Sequence, residues 1–231
     1  QFEPSDDWWI AVDNVRVDTT LVVGGPRTLL ETDFSEGVPD DWDIDSEVGG
    51  LATWAVADPC LLSLLNLNGG FFPDALDGRG LHHFDTSFAM IALDEFACVG
   101  AVQDDMLLTQ AVDCGEATKV WLQVKSAVRV TDAVAEILLS TDGGTTFDAE
   151  SPVFTYNADD DSLVRDADNA ETVYNELILE VPEAVGESNV VFAFHYVNPA
   201  AQTGFWAIDD VKVTAHGATG RPLFHRGDAN D

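Results

Sequence analysis

Residues 119–130 read Lys-Val-Trp-Leu-Gln-Val-Lys-Ser-Ala-Val-Arg-Val, and their side chains alternate between two kinds. In an extended strand, one face carries Val120, Leu122, Val124, Ser126, Val128 and Val130, and the other carries Lys119, Trp121, Gln123, Lys125 and Arg129. Because one face is mainly apolar and the other polar, this stretch predicts a strand that packs on one side and meets water on the other.

Short apolar runs of this kind recur along the chain, separated by Gly, Asp, Asn and Pro. They predict further strands at Trp9–Val17, Thr28–Asp33, Ala52–Ala57, Phe88–Leu93, Met106–Leu108, Ala133–Ser140, Val153–Tyr156, Glu176–Val181, Asn189–Tyr196 and Trp206–Thr214. Helix is expected only as one turn near Pro182–Gly186. The pattern predicts an all-β, antiparallel two-sheet sandwich.

The charge of the chain is strongly unbalanced. Its 231 residues include 42 Asp and Glu but only 10 Lys and Arg, which gives a net charge of −32. This field repels nucleic acid and anionic membranes, so we expect neither as a partner. No apolar stretch approaches the ~20 residues that a membrane-spanning helix needs. Two interpretations remain open, binding of divalent cations and a hydrated surface suited to salty water.

The sequence offers little support for catalysis. Carboxylate pairs are expected by chance in so acidic a chain, and the five histidines stand in no HExxH motif and near no GxSxG motif. We expect His195 to be a structural residue with satisfied hydrogen bonds, and Ser140–Phe147 to be a structural hairpin stabilised by Asp142. Cys60, Cys98 and Cys114 permit one disulfide, whose pairing the sequence does not assign. We therefore expect that the protein is not an enzyme.

Two segments far apart in the chain are nearly alike. Trp9-Ile-Ala-Val-Asp-Asn-Val-Arg-Val17 aligns without gaps with Phe205-Trp-Ala-Ile-Asp-Asp-Val-Lys-Val213. The first copy has no domain body of its own, so residues 1–20 are either an orphan strand or the remnant of a preceding repeat. An unpaired strand needs a partner edge for its backbone groups, either on its own domain or on the sheet of a neighbouring copy. We expect an assembly strand that joins copies of the chain by strand addition, comprising Trp8, Trp9, Ile10, Ala11, Val12, Val15 and Val17.

The closing segment Trp-Ala-Ile-Asp-Asp-Val-Lys-Val (206–213) resembles the final strand of MAM-like jelly-roll domains of secreted bacterial proteins, including the choice-of-anchor group. Glu-Thr-Asp-Phe-Ser-Glu-Gly-Val-Pro-Asp-Asp-Trp-Asp-Ile (31–44) resembles the opening strand and turn of that family. The resemblance implies a jelly-roll sandwich over residues 21–216, with an extra N-terminal strand before it and a tail or linker at 217–231. It also implies a secreted or cell-surface location.

The same resemblance implies a bound calcium ion. Related jelly rolls hold a structural Ca²⁺ near their first and last strands, which implies Asp33, Glu36, Asp94 and Asp210 as ligands. The last residues, Arg-Gly-Asp-Ala-Asn-Asp (226–231), resemble the start of a dockerin-type calcium loop, with Asp228 and Asn230 at its first and third ligand positions.

These observations favour a non-catalytic extracellular protein with a structural or adhesive role, which assembles into a filament or surface array through its N-terminal strand. The alternative is a carbohydrate-binding module of a larger secreted protein. In that case the most plausible platform for a glycan is Trp121, because it lies on the polar face of its strand.

Overall fold

Strands make up nearly all the regular structure in the computed structural model, which describes residues 25–46, 53–57, 84, 87–92, 103–129, 133–157, 173–199 and 204–217. They are β1 (Arg27–Thr32), β2 (Asp43–Ser46), β3 (Ala55–Ala57), β4 (Phe88–Ala92), β5 (Gln103–Leu108), β6 (Ala117–Arg129), β7 (Val134–Ser140), β8 (Phe154–Asn157), β9 (Val173–Glu180), β10 (Val191–Asn198) and β11 (Phe205–Gly217). A 3₁₀ turn at Pro182–Ala184 confirms the helical turn that was predicted near Pro182–Gly186. Within these ranges, no helix has the length and hydrophobicity required to cross a bilayer.

The strands form two antiparallel sheets. The six-stranded sheet has the order β3-β4-β11-β6-β9, with β1 also paired to β11, and the five-stranded sheet has the order β2-β5-β10-β7-β8. If β2, β3 and β4 are set aside and the other eight strands are renumbered, the orders are 1-8-3-6 and 2-7-4-5, which is the arrangement of a jelly roll. The predicted sandwich is therefore confirmed.

Side chains from both sheets fill the space between them, with Trp206 of β11 among the largest that are fully buried. The centroid of its ring lies 5.5 Å from that of Trp54, 5.8 Å from Phe194 and 6.5 Å from Tyr156. Its indole N–H donates a hydrogen bond of 2.9 Å to Oγ of Ser126. This bond explains how a hydroxyl is accommodated on the face of β6 that alternation assigned to the core.

The turn after β1 connects the two sheets. Phe34 adopts a left-handed conformation with φ 54° and is completely buried, and its ring packs edge-on against Trp42 at 5.6 Å. The chain then enters β2 at the edge of the five-stranded sheet. The sequence did not predict β2, because Asp43, Asp45 and Ser46 are polar and Ile44 alone contributes to the core.

The other predicted strands agree with the structure. All ten predicted segments that fall on described residues contain a strand. The segment Trp9–Val17, with the assembly residues Trp8, Trp9, Ile10, Ala11, Val12, Val15 and Val17, lies outside the described residues, as do 218–231.

The predicted hairpin turn after β7 is held by Asp142. Its carboxylate accepts hydrogen bonds from the Ser140 hydroxyl, the Thr145 N–H, and both the N–H and the hydroxyl of Thr146. These hydrogen bonds lower the pKa of Asp142 to about 2, and the bond from Ser140 has the largest effect. The carboxylate serves its own turn, as the sequence predicted.

Candidate functional site

The outer face of the six-stranded sheet carries the candidate site. Along β6 the valines and the leucine enter the core, so Trp121, Gln123 and Lys125 face outward. Strand pairing places Lys212 of β11 on one side of Gln123 and Ile178 of β9 on the other. Ile178 is 61% exposed, more than any other large hydrophobic side chain among the described residues. This face therefore presents amide, ammonium and apolar groups together.

All three lysines of the chain stand on this face, although the net charge is −32. Each is paired with a carboxylate from a strand of the same sheet: Lys119 with Glu180 at 3.4 Å, Lys125 with Asp210 at 2.7 Å, and Lys212 with Glu31 at 2.9 Å. The hydrogen bond from Lys125 to Asp210 raises the pKa of that lysine. The acidic field of the chain is thus locally offset on this face.

A bulge in β11 shapes the floor of the site. Asp209 pairs with Lys125 and Lys212 pairs with Gln123, so β11 has one more residue than β6 over this interval. Asp210 is the extra residue, and its backbone adopts a left-handed conformation with φ 48°. Its side chain stays exposed, while Ile208 before it and Val211 after it both reach the core.

Two adjoining cavities lie over this face and share Gln123 and Asp210. The larger, of about 510 Å³, is lined by Glu31, Thr32, Asp33, Gln123, Asp210 and Lys212. The smaller, of about 190 Å³, is lined by Gln123, Val124, Lys125, Glu176, Leu177, Ile178 and Asp210. Together they form a groove that crosses β1, β11, β6 and β9.

The groove is bounded at the bulge. Before it, Phe205 and Ala207 of β11 also face outward, but they are covered by a small apolar cluster that includes Phe84 and Phe88. Asp209, at the boundary, is 1% exposed and accepts the N–H of Asp210 at 2.8 Å. Burial raises its pKa to about 7, and the neighbouring carboxylates add to this effect.

The four predicted calcium ligands are only partly brought together. Asp33 and Asp210 line the larger cavity, whereas Glu36 is not among its lining residues and Asp94 lies outside the described residues. The hydroxyl of Ser35 donates to Asp33 at 2.7 Å and its N–H at 3.0 Å, which lowers the pKa of Asp33. In the part of the chain that is described, no three acidic, histidine or cysteine side chains are grouped so as to hold a metal ion.

The predicted glycan platform, Trp121, is half-buried on the same outer face. It lies two residues along β6 from Gln123, about 7 Å away, with Thr214 and Glu180 beside it on the neighbouring strands. It flanks the cavities without lining them. Trp42, Trp54 and Trp206 are buried in the core.

Sequence reasoning did not identify Gln123, Lys125, Lys212 and Ile178 as members of one site. Alternation along β6 had already placed Gln123 and Lys125 on the face of Trp121. Two of the three lysines of the chain lie in β6, which was a further signal that this face is unusual. The approach of β11 and β9 depends on pairing between distant parts of the chain, which alternation does not reveal.

No protein-family model matches the sequence, and no curated protein matches it. Among solved structures, the chain is similar to the K1 cleaved adhesin domain of Lys-gingipain from Porphyromonas gingivalis, with a TM-score of 0.54 and 14% identity over 84% of this chain and 100% of that domain. The K3 cleaved adhesin domain of the same protein gives 0.49 and 14% identity over 82% and 99%. The module TmCBM61, solved with β-1,4-galactotriose, gives 0.45 and 13% identity over 82% and 99%.

Only the first of these three TM-scores exceeds 0.5. At 14% identity, the likeness to the K1 domain establishes a common β-sandwich fold. A shared fold does not identify a ligand, so the ligand of this chain is inferred from its own surface.

Proposed function

We propose that this chain is a secreted, non-catalytic binding module that holds an extracellular glycan on the outer face of its six-stranded sheet. The observation that carries the proposal is the position of Trp121 beside a groove lined by an amide, two ammonium groups and several carboxylates. The K1 domain is described as a cleaved adhesin domain, and adhesion to a surface glycan is the form of binding that we propose here.

The chemistry of the groove matches that of a sugar. A pyranose ring has an apolar C–H face, which an aromatic ring such as Trp121 can cover, and a rim of hydroxyl groups. Gln123 can donate and accept hydrogen bonds, Lys212 donates, and Asp33 accepts. The larger cavity, about 510 Å³, lies within the range of about 300–1,000 Å³ that is usual for ligand sites.

The charges along the groove favour a neutral glycan over a polyanion. Four of its lining residues are acidic, Glu31, Asp33, Glu176 and Asp210, whereas two are basic, Lys125 and Lys212. Both lysines are already paired with carboxylates. A sulfated or uronate-rich chain would therefore meet net repulsion on approach.

Affinity electrophoresis in gels that contain single neutral or sulfated polysaccharides tests the proposal. We expect one or more neutral polysaccharides to retard the wild-type protein. Trp121→Ala should weaken this binding about 30-fold, which corresponds to about 2 kcal/mol for the loss of an aromatic anchor. Trp121→Phe, which keeps a ring, should retain most of it.

Asp148→Ala, a change in an exposed loop outside the groove, is the matched control and should bind as the wild type does. Gln123→Ala provides a second change, within the groove itself. Unaltered retardation of both Trp121→Ala and Gln123→Ala would refute this site. If no polysaccharide retards the wild type, the proposed function itself is wrong.

We also propose a structural Ca²⁺ at the end of the groove near β1 and β11. Asp33 and Asp210 line the same cavity and could each supply carboxylate oxygens, the ligands that Ca²⁺ prefers. Burial is the main cause of the raised pKa of Asp209, and the carboxylates of Asp210 and Asp33 add to it, which indicates a negative potential here that a cation would relieve. Glu36 and Asp94 remain predicted ligands on the basis of the family resemblance.

Membership of the MAM-like jelly-roll family, and assembly of copies into a filament through the N-terminal segment, likewise remain proposals. Assembly draws support from the duplication of β11 by residues 9–17. In the described part of the chain, β9 is paired only on its β6 side, so it offers an edge at which a strand could add.

A further inference from the structure

His195 lies on the opposite side of the molecule from the groove, on the outer face of the five-stranded sheet. It belongs to β10, where Phe194 and Tyr196 on either side point into the core. Its neighbours across the sheet are Met106 of β5 and Glu136 of β7. The side chain is nevertheless only 10% exposed.

Both nitrogens of the imidazole ring meet a carboxylate. Nδ1 lies 2.8 Å from Oε1 of Glu136, and Nε2 lies 2.7 Å from Oδ1 of Asp104. A neutral imidazole carries one N–H, so it would turn the lone pair of its other nitrogen toward a carboxylate oxygen. The imidazolium ion donates to both, and these distances are those of charge-assisted hydrogen bonds.

Among the described residues, no lysine or arginine lies on the sheet of His195. Every described Lys and Arg belongs to the six-stranded sheet, on β1, β6 or β11. Among described residues, His195 is therefore the only group on the five-stranded sheet that can carry positive charge. Five acidic residues lie on strands of that sheet: Asp43, Asp45, Asp104, Asp105 and Glu136.

These groups do not contribute equally. Glu136 and Asp104 contact the ring directly, and Asp45 of β2 lies on the same face, beyond Met106. Asp105 is completely buried on the inner face. From β8, the residue opposite Glu136 is the uncharged Thr155.

We propose that His195, as an imidazolium ion, is a pH-sensitive clamp that joins β5, β10 and β7 and releases them when it loses its proton. The clamp connects the three central strands of the five-stranded sheet. Since this sheet is the one without the groove, the proposal is independent of glycan binding.

The balance of effects on the ring agrees with this geometry. Burial alone lowers the pKa of His195, but the hydrogen bonds to Glu136 and Asp104 outweigh burial, and the pKa is raised above its ordinary value of 6.5. A raised pKa in the folded state contributes stability that is full below pH 6.5 and is lost as the pH rises through the folded value.

The test uses the full chain with ¹⁵N-labelled histidine. We expect the ring nitrogens of His195 to give the signature of an imidazolium ion at pH 6.5, with a titration midpoint above that pH. Protection factors, which correct amide hydrogen exchange for its intrinsic rise with pH, should fall in β5, β7 and β10 as the midpoint is passed. Those in β6 and β11 should not fall.

Thermal unfolding of variants provides the second measurement. His195→Gln should unfold at a lower temperature than the wild type at pH 6.5, and the difference should shrink as the pH rises. Glu136→Gln, of the same shape without charge, should lower the titration midpoint of His195. His216→Gln, in the other sheet, is the matched control and should leave the pH profile unchanged. A midpoint at or below 6.5, or a constant temperature difference across the pH range, would overturn the proposal.

Discussion

The hydrogen bond between Trp206 and Ser126 gives the sharpest test of how this sandwich is held together. Trp206 of β11 and Ser126 of β6 are both completely buried, and the N–H of the first donates to Oγ of the second at 2.9 Å. Ser126→Ala removes one oxygen atom and leaves the indole N–H without this acceptor. The interior otherwise remains packed as before, so the perturbation is close to the loss of a single bond.

The expected magnitude follows from burial. Leaving a buried donor unsatisfied costs about 1–3 kcal/mol. For a domain of this size, each kcal/mol lowers Tm by about 2–4 °C, so Ser126→Ala should lower Tm by about 2–12 °C. Trp206→Phe should cost more, because it leaves a buried hydroxyl without a donor and also opens a cavity.

A double-mutant cycle separates the bond from the cavity. Once Phe replaces Trp206, the Ser126 hydroxyl has already lost this donor, so Ser126→Ala should cost little in that background. Equilibrium urea unfolding, followed by far-UV circular dichroism because one variant loses a tryptophan, should give a coupling free energy of at least about 0.5 kcal/mol. Strictly additive effects of the two changes would refute the reasoning.

Two further predictions concern a metal and assembly. Ca²⁺ at about 100-fold excess over its Kd should raise Tm by about 5–11 °C, and EDTA should reverse the rise. Asp33→Asn should abolish the rise, whereas the control Asp148→Asn should not. If Ca²⁺ does not change the Tm of the wild type, the site is excluded. In sedimentation velocity, the full chain should form polymers and a chain that lacks residues 1–18 should sediment as a monomer; a full chain that is itself a monodisperse monomer would contradict assembly by strand addition.

Much of the fold could be predicted because the hydrophobic pattern along each strand is local. The alternation from Lys119 to Val130 separated Trp121 from the core and assigned Ser126 to it, and both assignments hold in the described part of that strand. The sequence did not predict β2, because this edge strand buries little apolar surface and its residues show almost no apolar alternation. The bulge at Asp209 and Asp210 also breaks the period, and only strand pairing locates the extra residue.

The sequence by itself determined ten of the eleven described strands, the faces that pack, the acidic charge and the scarcity of lysine. The tertiary structure decided which strands are neighbours in a sheet. Strand pairing brings together residues of different strands, whereas alternation describes each strand alone. It placed Lys212 and Ile178 on either side of Gln123, and it set Glu136 and Asp104 against the two nitrogens of His195. The physical reason is that a local period fixes the direction of a side chain, whereas its neighbours depend on contacts between strands about 50 to 90 residues apart in the chain.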